Sequence, residues 1–321
     1  MIDGIRIGHW TDLDAATGLT AFLLPDGAVA AAAVRGQSTG TLNTPVFEPA
    51  GAADHARAIV LTGGSCYGLA AAAHLTQLLG GPVPRPEPVP FVLAAVIYDL
   101  PLGQVAWPTP AATEHAMAVA VPAGTEDVGT VGAGTGATAG SLDGPGNAMK
   151  GGFGRAHRST AEGATVAAWA VANPVGDVLD EDGRVLAGLR RAGRQVRVVD
   201  ALAAQERPTL SWGQATTLVV VATDARLDKR AAWRLAHAGH SGIARTVSPA
   251  ATGVDGDTAF AVATGRVPVT NVAPLEAVAV EVTAAAVRDA VRAATTLPGV
   301  PAVRDVVADT GTGTGTVAAT V

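Results

Sequence analysis

Thr216-Thr217-Leu218-Val219-Val220-Val221-Ala222-Thr223-Asp224 is the stretch from which the rest of the chain can be organised. Its β-branched residues run on without polar alternation, which predicts a strand buried on both faces. Before it, residues 180–208 are polar, with four arginines between Arg184 and Arg194, and predict an exposed, mobile connector. After it, Asp228 to Ala238 predicts a helix, with Leu227, Ala231, Ala232, Leu235 and Ala236 compatible with one apolar face. Thr258 to Thr264 predicts a further strand and Glu276 to Thr295 a further helix. The Thr-Gly repeats of residues 309–321 predict a disordered tail.

Toward the amino terminus, Leu19–Leu24 and Ala28–Val34 flank Pro25-Asp26-Gly27 and predict a hairpin. Ala56–Thr62 predicts a strand ending in Gly63-Gly64. Ser65 then caps a helix to about Leu79, which Gly80-Gly81-Pro82 stops. Pro82 to Pro90 holds five prolines and predicts an extended connection. Phe91–Tyr98 and Thr165–Ala172 predict strands. Gly124 to Gly154 is so rich in glycine that it predicts tight turns and close backbone approach. Strands and helices mix without strict βαβ alternation, which favours a layered α/β fold over a doubly wound sheet.

Composition narrows the function. The chain has 321 residues, 48% hydrophobic and 16% charged, and a formal net charge of −6. No basic cluster tracks a phosphate backbone, so nucleic-acid binding is not expected. One cysteine excludes a disulfide framework and a cysteine-cluster metal site. Met1-Ile2-Asp3-Gly4-Ile5-Arg6 is not a basic segment leading into an apolar one, and no run suggests a membrane span, so a cytoplasmic protein is expected. A mean hydropathy of +0.31 suggests apolar surface buried between subunits.

Three motifs offer chemistry that the rest of the sequence does not support. Gly132-Ala133-Gly134-Thr135-Gly136-Ala137 has dinucleotide-loop spacing, but no clear strand precedes it and no acid follows at the right distance. His237 and His240 have the spacing of two metal ligands, yet fall at an expected helix end without suitable carboxylates. Ser65 and Cys66 follow Gly63-Gly64 at a helix start. Tyr67, however, stands where a nucleophile elbow needs glycine, and a helix cap with Cys66 buried is the simpler expectation.

Thr216 is the strongest nucleophile candidate. A cut between Ala215 and Thr216 would put a hydroxyl and a free α-amine on one residue. With a reference pKa of ~7.7–8.0, that amine can serve as the hydroxyl's own general base.

Six motifs carry a family resemblance, in order. They are Thr17-Gly18-Leu19-Thr20, Leu61-Thr62-Gly63-Gly64-Ser65, Val131 to Ala137, Met149-Lys150-Gly151-Gly152-Phe153-Gly154, Thr216 to Asp224, and Asp255-Gly256-Asp257-Thr258. The sequence resembles the DmpA-type L-aminopeptidase/D-esterase family of N-terminal-nucleophile peptidases, which includes the nylon-oligomer hydrolases. The resemblance implies one α/β domain over residues 1–321, a four-layer αββα sandwich that processes itself into two chains, residues 1–215 and 216–321. It implies Thr216 as nucleophile, Asp255 and Asp257 as supporting acids, Lys150 as the active-site lysine and Asn173 as oxyanion donor. Tyr98 would lie near the substrate. No cofactor or metal is implied, and the expected partners are a small peptide or amide and further copies of the chain, as a homo-oligomer (a tetramer by family resemblance). The nylon-oligomer relatives have asparagine before the nucleophile, where this chain has Ala215. An uncleaved relative that binds a small amino compound without turnover is the alternative, and a hydrolase built on Ser65 and Cys66 a third.

Overall fold

The computed structural model describes residues 1–81, 89–204 and 215–309. Two sheets carry the fold. In the first, the strand order is β4 (Thr41–Leu42), β6 (Val92–Val96), β5 (Ala58–Thr62), β2 (Thr17–Leu23), β1 (Arg6–Asp12) and β7 (Val121–Pro122). In the second it is β10 (Gly152–Ser159), β11 (Thr165–Asn173), β16 (Thr216–Ala225), β18 (Thr258–Val267) and β3 (Val29–Val34). The central pair β16 and β18 is parallel, with Leu218 opposite Thr258, while β11 runs antiparallel to β16 and sets Asn173 opposite Thr216. Smaller pairings join β8 (Thr138–Ala139) to β9 (Met149–Lys150), β12 (Asp177–Leu179) to β13 (Val185–Ala187) and β17 (Val247–Ser248), and β14 (Arg190–Arg191) to β15 (Arg194–Gln195).

The uninterrupted apolar run of β16 is explained by its surroundings. Leu218, Val220 and Ala222 face the first sheet, where they meet Phe22, Ile59 and Leu61. Val219 and Val221 face the opposite way, toward α4 (Lys229–Thr246) and α5 (Ala273–Ala293). The outer face of the first sheet packs Leu19, Val60 and Val92 against α1 (Leu69–Gly80) and α2 (Pro110–Ala118). Two short helices, α3 (Val198–Ala204) and α6 (Val303–Asp309), complete the described elements. No described helix is long and apolar enough to cross a membrane.

Several expectations are corrected. The strands flanking Pro25-Asp26-Gly27 do not pair with each other: β2 lies between β1 and β5, and β3 at the edge of the other sheet. Tertiary burial of both runs outweighs the turn signal. The true hairpin is β1–β2, across Leu13–Ala16. Residues 180–204 are not a mobile connector, since they hold β13, β14, β15 and α3. Arg184 pairs with Asp182 and Arg191 with Asp143. Ser65 does not cap α1, which starts at Leu69; it opens a 3-10 turn at φ 53° after Gly64. Cys66 is exposed, not buried. The helix begun by Asp228, whose carboxylate accepts the Ala231 N–H at 2.7 Å, continues to Thr246 and takes both histidines into its body. There His240 Nε2 donates to the Ala33 carbonyl at 2.8 Å, and His237 Nδ1 accepts from Arg35 at 2.9 Å. The extended connection expected within 82–90 and the tail of 309–321 fall almost wholly outside the described residues.

Glycine lets α5 lie directly on β10. A Cβ on Gly154 would stand 2.2 Å from the Ala290 nitrogen and 2.3 Å from the Ala286 carbonyl oxygen. Gly154→Ala is therefore expected to cost about 1–3 kcal/mol, the usual range for overpacking. Gly146→Ala, where a Cβ meets nothing within 4 Å, should change stability by less than about 0.5 kcal/mol. Urea unfolding of the two variants checks the difference.

Candidate active site

Three strand ends meet at Thr216. Because β16 and β18 are parallel, the residues that precede each strand lie at the same edge of the sheet. Ala215 bridges Asp255, and the Gly256 N–H donates to the Ala215 carbonyl at 2.8 Å. The buried Thr216 hydroxyl donates to that same carbonyl at 2.5 Å. The carbonyl before the threonine thus has two donors on its oxygen, and the hydroxyl sits beside it. Gly256 has to be glycine for reasons of space, since a Cβ there would lie 2.7 Å from Thr216 Oγ1.

The acids are fixed by backbone amides. Asp257 accepts from the Thr217 N–H at 2.7 Å and the Ala251 N–H at 2.9 Å. Asp255 accepts from the Thr252 N–H and hydroxyl at 2.9 and 2.6 Å. Burial, and then the charge of Asp255, pushes the Asp257 carboxyl up to about 7; burial also raises Asp255. Two buried carboxyls on one turn cannot both ionise cheaply, so the turn retains a proton near neutrality. A strap holds this turn from outside: Arg35 and Gly36 donate their N–H groups to the Asp257 carbonyl, and Ser38 to that of Asp255, each at 3.1 Å.

Asn173, buried opposite Thr216, accepts the Thr138 N–H on Oδ1 at 2.9 Å, and its Nδ2 has no partner among the described residues. A buried amide donor without a partner is uncommon, and this one lies beside the Thr216 hydroxyl, free to meet a further acceptor. Lys150 is fully buried, and its Nζ donates to the carbonyls of Ala137, Gly134 and Gly151 at 2.8, 2.9 and 3.2 Å. Burial pushes its ammonium down to about 7 and Asp99 pulls it back up. Three acceptors call for three donors, so the charged form is the one that the loop binds. Lys150 thus clamps the 134–137 loop, and the next residue of that loop is the Thr138 that orients Asn173. Tyr98 is half-buried and has no side-chain hydrogen bond among the described residues.

The sequence reasoning missed Asp99. It is buried, accepts the Gly64 N–H and the Thr17 hydroxyl, each at 2.7 Å, and is raised to about 6 by burial. Gly63 and Gly136 give it room, since a Cβ on either would come within 3 Å of its side chain. The signal was available: three quoted motifs contribute the residues around one acid at the end of an apolar run. The Gly132-Ala133-Gly134 amides are not free for a phosphate, being taken by Thr11, Thr20 and the Val131 carbonyl.

Raised carboxyls fix the sign of a pH effect. Asp257 and Asp99 hold protons in the folded chain up to about 7 and 6, but lose them near 4 when unfolded. Stability is fully present below the unfolded values and is lost as pH rises through the folded ones. These two carboxyls therefore lower the melting temperature as pH rises from 5 to 7, and the difference in melting temperature between wild type and Asp257→Asn should shift toward the variant across that range in a pH series of thermal melts.

Residues 2–304 match peptidase family S58. The chain is 37% identical over 289 residues to an uncharacterized aminopeptidase of Mycobacterium tuberculosis (strain ATCC 25618 / H37Rv), covering 84% of this chain and 81% of that one. It is 32% identical over 277 residues to the 6-aminohexanoate-oligomer endohydrolase of Paenarthrobacter ureafaciens, covering 82% and 74%. Among solved structures, a Burkholderia sp. beta-aminopeptidase superposes with a TM-score of 0.72 at 22% identity, over 97% of this chain and 93% of that one. The L-aminopeptidase D-Ala-esterase/amidase of Ochrobactrum anthropi, described as a variant of the Ntn-hydrolase fold, gives 0.70 at 21%, over 97% and 93%. At those identities the superpositions show the fold, and the sequence match shows the family. The chain belongs to peptidase family S58, a family of hydrolases acting on peptide and amide bonds.

Proposed function

We propose that this chain is an N-terminal-threonine amidohydrolase that cleaves itself between Ala215 and Thr216 and then hydrolyses short peptides or small amides. The observation that carries the proposal is the Ala215 carbonyl, which accepts from both the Gly256 N–H and the Thr216 hydroxyl. In the processing step, Thr216 Oγ bonds to the Ala215 carbonyl carbon and the carbonyl oxygen takes the charge. The C–N bond then breaks, the nitrogen leaves as the Thr216 amine carrying the hydroxyl's proton, and an ester remains. Water hydrolyses that ester, giving the Ala215 carboxylate and a free Thr216. Ala215 in place of asparagine leaves this route open, because only its carbonyl takes part.

In turnover, the Thr216 amine accepts the hydroxyl's proton as Oγ attacks the substrate carbonyl. Asn173 Nδ2 donates to the resulting oxyanion, the amine returns the proton to the leaving nitrogen as the C–N bond breaks, and water then hydrolyses the ester left on Oγ, releasing the acid and regenerating Thr216. Asp255 and Asp257 hold the ammonium, Lys150 keeps the loop behind Asn173 in place, and Tyr98 borders the substrate. The αββα arrangement belongs to the same proposal and is supported by apolar clusters on both faces of the second sheet and the outer face of the first. A homo-oligomer is proposed from the high mean hydropathy.

Intact mass of aged protein should show the 31.8 kDa chain replaced by fragments of roughly 21 and 10 kDa, in proportion to residues 1–215 and 216–321. A purified, active sample that stays whole would overturn self-processing, and one that stays whole and hydrolyses nothing would favour the uncleaved reading.

Mutational effects should fall in a definite order. Thr216→Ala is expected to abolish both processing and turnover, and Thr216→Ser to retain measurable processing. Asn173→Ala should slow turnover ~100–1,000-fold. Cys66→Ala should leave amide hydrolysis near normal. A dead Cys66→Ala beside an active Thr216→Ala would move the nucleophile to the turn after Gly64.

A further inference from the structure

Among the described phenylalanines, tyrosines and tryptophans only two are exposed, and they stack on each other. Tyr67 and Trp107 are 59% and 41% exposed, with ring centroids 4.7 Å apart and planes inclined by 24°. Neither is left loose. Gly64, at φ 77°, is the seat of Trp107: a Cβ there would stand 2.3 Å from the tryptophan Cβ. The same turn is tied down by the Gly64 N–H on Asp99 and by the Ser65 N–H on the Ile97 carbonyl at 2.9 Å. Val105, two residues from Trp107, is also exposed and extends the apolar rim.

The stack lies along a short path from the nucleophile. The Ser38 carbonyl oxygen is 2.8 Å from the place where Gly256 would carry a Cβ, next to Thr216 Oγ1. Two residues on, the Gly40 carbonyl accepts the Val96 N–H at 3.1 Å, and a Cβ on Gly40 would lie 3.1 Å from Cys66 Sγ. Tyr67 is the next residue. At ~3.3–3.6 Å per extended residue, this strip spans about 15 Å, the reach of a substrate a few residues long.

We propose that the Tyr67–Trp107 stack is a side-chain subsite for substrate at the end of this strip, and that the substrates are amides with an aromatic or long apolar group on one side of the scissile bond. The inference rests on the amidohydrolase proposed above. Flat rings already fixed by their own turn lose little freedom when a ligand covers them, so the area that they bury favours binding.

The test compares phenylalanyl-glycine and alanyl-phenylalanine, each against alanyl-glycine, with the processed wild-type enzyme. At least one aromatic dipeptide should have the higher kcat/KM. Trp107→Ala should reduce that ratio by about tenfold, and Trp107→Phe should restore most of it, as expected of one stacking contact. A ratio near one in the wild type, or one unmoved by Trp107→Ala and Tyr67→Ala, overturns the subsite. So does dissociation of an assembly by these variants with the ratio unchanged, which would make the stack a contact between copies. Calorimetric titration of the same dipeptides into Thr216→Ala reads the preference without turnover. Selective binding by a wild-type chain that hydrolyses nothing would sink the amidohydrolase while leaving the subsite standing.

Discussion

The parallel pairing of β16 with β18 is the constraint on which the site depends. In a parallel pair both strands enter from the same end, so the residues before Thr216 and before Thr258 are neighbours. That places the Asp255-Gly256-Asp257 turn against the Ala215–Thr216 peptide and lets one backbone N–H reach its carbonyl. The antiparallel β11 arrives from the other direction and delivers Asn173, its last residue, to the same edge. Thr216, the two aspartates and Asn173 come from three segments far apart in sequence, and the register of one sheet brings them together.

Around this edge the chain buries ionisable groups at a density that would be costly without compensation. Each group has backbone partners. Asp257 takes two N–H groups, Asp99 one N–H and a threonine hydroxyl, and Lys150 three carbonyls. Glycine makes these contacts possible. At Gly63, Gly136 and Gly256 a methyl group would occupy the space of a functional oxygen or carbon, which is why the glycine-rich stretches coincide with the chemistry. Asn173 Nδ2, by contrast, is a buried donor without a partner among the described residues.

Where sequence reading failed, it failed for non-local reasons. The turn signal at Pro25-Asp26-Gly27 is real, but β2 and β3 leave it for different sheets because each has a better apolar partner elsewhere. The helix after Asp228 outlasts its expected end because His240 is buried and satisfied by the Ala33 carbonyl, which removes the local cost of a polar residue. The arginine-rich segment folds because its charges meet Asp143 and its apolar residues Val198 and Ala201 find a small core of their own.

By itself the sequence determined the central strand and the threonine that begins it, since these rest on residue type and local order; the two acids, the lysine and the asparagine were singled out by the family resemblance. The sequence also determined the family, through motifs spread along the chain. Only the tertiary structure decided that Lys150 clamps a loop, that Asp99 joins the buried ionisable groups, and that Gly256 gives up its side chain so that its N–H can serve the Ala215 carbonyl. Those facts depend on distances between segments as far apart as Thr17 and Asp99, and such distances are fixed by sheet register and close packing, which no local pattern encodes.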